Sequence, residues 1–89
     1  MMTVEFQLPG CGSLKDKRKR LRGLKDRFGK IGNLAVTESD LHDVHQRAQW
    51  SFVVIGRDST GLEQTLDTVE NFVLSQLDAV VVASERQSL

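Results

Sequence analysis

Wound at 100° per residue, Leu14, Leu21, Leu24 and Phe28 fall within an arc of about 80°. The stripe lies inside "SLKDKRKRLRGLKDRFGK", residues 13–30, which also holds nine of the chain's twelve Lys and Arg residues. An apolar face this narrow under so dense a charge run supports an amphipathic α-helix. Ser13 with Asp16 has the spacing of a weak capping box at its start, and Gly29 and Gly32 stop it. The formal net charge of zero conceals the imbalance. Residues 15–30 carry nine basic and two acidic side chains, against three basic and ten acidic in the rest. Such polarisation bears on anionic partners rather than on the fold.

Elsewhere the apolar period changes to two. Residues 3–8, "TVEFQL", alternate Val4, Phe6 and Leu8 with Glu5 and Gln7, which predicts a half-buried strand ahead of a "PGCG" turn. "NLAVTES", 33–39, reads as a second strand, and "DLHDVHQRA" as an irregular or short helical connection. "QWSFVVIG", 49–56, is the most apolar run and reads as a central strand. Asp58, Ser59 and Thr60 offer N-caps to a second helix, with Thr60 and Glu63 in capping-box spacing. That helix is expected to bury Leu62, Leu66, Val69, Val73 and Leu77, and "AVVVAS", 79–84, forms the last strand. The order β-α-β-β-α-β over residues 1–89 predicts one α+β domain of the ferredoxin-like split pattern, a four-stranded antiparallel sheet with two helices on one face.

Eighty-nine residues lie near the lower end of what folds alone, burying roughly 60–65% of the unfolded surface, so dimerisation is a reasonable supplement. No apolar stretch approaches the roughly 18–20 residues of a membrane span, and "MMTVEFQL" lacks the basic start and apolar core of a signal peptide. The single cysteine, Cys11, excludes an intramolecular disulfide and suits a reducing cytoplasm.

"PGCGSLKDKRKRLRGLKDRF" after a first strand, with "VTESDLHDVHQRAQ" ahead of the central strand, resembles the YlxP-like proteins over essentially the whole chain. These are small bacterial proteins classed as a domain of unknown function. The resemblance implies a ferredoxin-like fold and a setting among translation and ribosome-maturation genes, hence an RNA-related role. It carries no activity, catalytic residue or cofactor to transfer. The chain departs from the family pattern in having His45 where an aromatic is frequent.

On the basic helix Lys15, Lys19 and Arg22 share an arc of roughly 60° facing away from the apolar stripe. Arg18 and Lys25 flank the stripe on one side, Arg20 and Arg27 on the other. This distribution suits an RNA phosphate backbone, and equally a solvated face whose Lys and Arg stems cover apolar edges. Lys17 falls between Leu21 and Leu24 on the wheel, in the middle of the apolar arc. Either it snorkels past the core's edge to water, or it aims under the helix N-terminus toward an anion held by the Gly10–Ser13 loop. Gly12 and Ser13 are the loop residues that would hold such an anion, although neither the phosphate-loop nor the dinucleotide signature is present.

Cys11 reads as a small packing residue or, among so many cations near a helix N-terminus, as a reactive thiol. "ESDLHDVHQ" gathers Glu38, Asp40, His42, Asp43 and His45, where both histidines with a carboxylate could bind a divalent metal; their spacing puts both imidazoles on one face only if the segment is helical, and it matches neither H-E-x-x-H nor a Cys-containing zinc pattern. Trp50 and Phe52 share one sheet face, where they either stack bases as in the RRM fold or pack beneath the helices, leaving Ser51, Val53 and Ile55 opposite. Both parities of that strand carry apolar residues, which favours a covering dimer or partner. The leading expectation is therefore a non-enzymatic binding module, without metal or cofactor, contacting RNA or a ribosomal subunit. Lys15, Lys17, Arg18, Lys19, Arg22 and Lys25 are its contact residues. The alternative is a sheet-mediated homodimer that docks an acidic protein.

Overall fold

A computed structural model describes residues 1–88. The elements run β1 (Met2–Gln7), α1 (Leu14–Phe28), β2 (Leu34–Asp40), β3 (Arg47–Val54), α2 (Ser59–Ser75) and β4 (Val80–Arg86). The strands form one antiparallel sheet in the order β2-β3-β1-β4, with the most apolar strands in the middle. This is the ferredoxin-like α+β arrangement.

One core lies between the helices and a single sheet face. Met2, Val4 and Phe6 of β1 meet Ala48, Trp50, Phe52 and Val54 of β3 in it. Leu21, Leu24 and Phe28 come down from α1, and Leu66, Val69 and Val73 from α2. Burying each such Leu, Val or Phe side chain contributes roughly 1.5–3 kcal/mol before conformational entropy is set against it. Trp50 and Phe52 point toward the helices, so neither is available as a base-stacking platform on the open sheet face. That open face is largely polar. Arg47 donates to Glu5 at 2.7 Å, and Ser51 and Gln49 both donate to Ser39.

Element ends follow local chemistry. Ser13 caps α1 by accepting from the Asp16 amide at 3.1 Å, and the Gly29 amide closes the last turn on Lys25. The second helix starts on Asp58, whose carboxylate accepts from the Thr60 amide at 3.0 Å, so the Thr60–Glu63 capping box is not formed. Leu77 lies beyond the end of α2 and packs only at the core's margin. The connection between β2 and β3 is an irregular turn rather than a helix. Among the described residues no helix is long and apolar enough to cross a membrane.

Candidate functional site

Lys17 is the buried charged residue of the core, 3% exposed. Its Nζ donates to the Leu41 carbonyl at 2.7 Å, lies 3.5 Å from the His42 carbonyl, and stands 3.0 Å from Glu38 Oε2. The carboxylate contact lacks hydrogen-bond geometry and acts as a charge pairing. Both readings of Lys17 are thereby corrected. The ammonium reaches neither water nor the Gly10–Ser13 loop, because the turn after β2 offers it two carbonyls and a counter-charge at hydrogen-bonding range. An unpaired buried ammonium would cost far more than this arrangement. Lys17 is consequently a tie between α1 and the end of β2, its ammonium already engaged by partners from the chain itself.

The backbone bends to receive it. Leu41 has φ +62°, in the left-handed region that a bulky side chain rarely adopts. The Asp40 side chain holds this bend by accepting from the Leu41 amide at 2.8 Å. In that conformation the Leu41 and His42 carbonyls both face Lys17. His42 turns back so that its Nε2 lies 3.1 Å from the Glu38 carbonyl. His45 is exposed on the same turn. Among the described residues no three His, Cys, Asp or Glu side chains gather to hold a metal.

The loop before α1 carries its own partners. Ser13 Oγ is occupied by the Asp16 amide, and the Asp16 carboxylate adds a negative charge to the first turn. Gly12 is exposed and Gly10 supplies the turn with φ +74°. The Cys11 thiol is buried and donates to the Ser13 carbonyl at 3.4 Å. That makes Cys11 a packing residue of the loop, with Gly12 and Ser13 lacking the lysine expected to complete an anion site.

The remaining cations of α1 divide sharply. Arg20 donates to the Pro9 carbonyl at 2.8 Å and pairs with Asp16 and Asp78. Arg27 lies over the Phe72 ring at 5.1 Å, beside the edge-to-face contact of Phe28 and Phe72. Lys15, Arg18, Lys19, Arg22 and Lys25, together with Lys30 two residues past the helix, are exposed, and among the described residues none has a carboxylate partner.

Beside this face runs an open groove of about 680 Å³ between α1 and the end of β2. Arg18, Arg22 and Lys25, with Asp26 beside them, form the helix wall, Glu38, His42 and Asp43 the other, and Leu14, Lys17, Leu21 and Trp50 complete the lining. The Trp50 indole Nε1 is buried and has no acceptor among the described residues. Glu38 and Trp50 are opposed across β2 and β3, so the pairing register places them together. Charge counting finds the cationic wall. The groove itself depends on the turn at Leu41 and on the facing of Trp50, and sequence reasoning missed it.

Fold and site define a small ferredoxin-like α+β domain with one cationic helix and a groove along its edge. The protein-family comparison matches residues 1–86 to the model of a protein of unknown function, DUF503. The chain belongs to that family. Comparison with curated proteins finds no match.

Proposed function

We propose that this protein is a small RNA-binding module whose first helix contacts phosphates, without strong base readout from that face. The observation that carries the reading is a set of six cations on α1 and just past its end, Lys15, Arg18, Lys19, Arg22, Lys25 and Lys30, without an acidic partner among the described residues. A solvated helix ordinarily intersperses acids at i,i+4 to offset such charge. Each phosphate neutralised by a Lys or Arg releases counterions, which gives binding its driving force and its salt dependence. The reading assigns no catalytic step, metal or cofactor. The likeness to YlxP-like proteins, with the translation and ribosome-maturation setting it implies, makes structured ribosomal RNA the first ligand to test.

Filter binding of such an RNA is expected to weaken by about a thousandfold between roughly 50 and 200 mM salt if all six cations engage. Reversing Lys15, Lys19 and Arg22 to Glu is expected to abolish it. Unaltered binding by that triple variant overturns the reading.

A second reading, a sheet-mediated homodimer docking an acidic protein on α1, draws on the edge strand β4, where Val80 and Val82 are 50% and 49% exposed. Sedimentation gives the dimer directly. A partner captured from nuclease-treated lysate that requires the same α1 cations supports this second reading over the first.

A further inference from the structure

The groove beside α1 is chemically two-sided. Arg18, Arg22 and Lys25 stand at i, i+4 and i+7, a linear row about 10 Å long on the helix edge. Facing them across the groove, Asp43 presents a carboxylate whose side chain is exposed and has no cationic partner among the described residues. Between the walls Leu14 and Leu21 supply apolar surface, and Trp50, 6% exposed, holds an indole N–H without an acceptor among the described residues. An occupant that satisfies all three must be anionic on one side, apolar in the middle, and must carry both hydrogen-bond donors and acceptors on the other. An acidic peptide fails this requirement, because its carboxylates would meet Asp43 and Glu38. A base-paired RNA fails it too, since its base edges are already engaged with one another.

We propose that the groove receives one unpaired base of a single-stranded RNA segment. The flanking phosphates lie along Arg18, Arg22 and Lys25, the base amino group donates to Asp43, and a base acceptor takes the Trp50 N–H. This deepens the phosphate-binding reading and rests on it, adding a preference for unpaired strands that the phosphate contacts alone do not supply. The volume suits the task, since small-ligand sites run from about 300 to 1,000 Å³.

Trp50 is the only tryptophan, and the chain has no tyrosine, so the intrinsic emission of the full-length protein reports on the groove directly. The test titrates a mixed-sequence oligoribonucleotide of about ten nucleotides, within the range of known single-strand sites, against the same strand in duplex form at equal salt. The single strand is expected to bind about tenfold tighter and to change Trp50 emission on saturation. Asp43→Ala then gives opposite signs under the two readings. Removing a negative charge strengthens both RNAs where phosphates alone matter, whereas loss of the base acceptor weakens the single strand and spares the duplex. Equal affinities, unchanged Trp50 emission and a strengthened Asp43→Ala variant overturn the groove while leaving phosphate binding intact. Absence of salt-dependent binding to either RNA overturns both.

Discussion

The two helices pack on the same sheet face and bury similar stripes, yet they treat charge in opposite ways. Helix α2 carries three acidic residues and no basic one, and all three converge on a single cation. Arg86 of β4 donates to Glu63 at 2.6 Å, Asp67 at 2.9 Å and Glu70 at 3.1 Å. Its partial burial opposes the charged form, and the three carboxylates outweigh that and raise its pKa above the ordinary value. Helix α1 carries eight basic and two acidic residues and engages only three of those cations, Lys17 through Glu38 and two carbonyls, Arg20 through Asp16 and Asp78, and Arg27 through Phe72. On α2 charge is consumed by the fold. On α1 most of it is left facing outward, and that surplus separates a structural helix from a candidate binding one.

Perturbing each helix sharpens the contrast. The largest effect is expected on binding: reversal of Lys15, Lys19 and Arg22 to Glu lowers RNA affinity by at least about a hundredfold. Since these side chains are exposed and have no carboxylate partner among the described residues, the same variant shifts unfolding free energy by no more than about 0.5 kcal/mol. Lys17→Met is next, and its readout is denaturant unfolding. Breaking a buried pair costs about 3–5 kcal/mol, and here about 2–3 kcal/mol is expected because the partly exposed Glu38 can turn to water. Adding Glu38→Gln to Lys17→Met should restore part of that loss, as a coupled pair requires.

Arg86→Met leaves Glu63, Asp67 and Glu70 repelling one another on α2. A loss of about 1 kcal/mol is expected, shrinking as salt is added because the cluster is largely exposed. Gly23→Ala gives the smallest effect and the opposite sign. A Cβ at Gly23 would lie 3.5 Å from the Phe72 ring, an ordinary contact between the helices. The substitution should stabilise by about 0.5–1 kcal/mol, read as a higher unfolding midpoint.

How far the sequence speaks differs along the chain. The first helix is legible to the residue, because a leucine stripe, a Ser13 cap and a Gly29 stop all act within one element. The central strand is less so. "QWSFVVIG" is apolar on both parities, whereas the observed β3 begins at Arg47, where ladder pairing with Gln7 extends it two residues earlier than hydrophobicity suggests. Only the position of the helices decides that Trp50 and Phe52 face inward. Lys17 shows the same limit more strongly. Its wheel position reveals a charge aimed at the core, but its partners come from residues 38–42, gathered by a left-handed bend at Leu41 that no local pattern announces. The groove combines positions 18, 22, 25, 43 and 50, brought together by tertiary packing alone.

The most direct test of the central claim is the slope of log affinity against log salt for a structured RNA. It would be compared between the natural chain, the triple α1 variant, and an α2 variant carrying Glu63→Gln, Asp67→Asn and Glu70→Gln. If the unpaired α1 cations bind phosphates, the natural slope is about −5 for six contacts, collapses in the α1 variant, and is retained in the α2 variant. A slope that survives reversal of α1, or that falls equally when α2 is altered, contradicts the account.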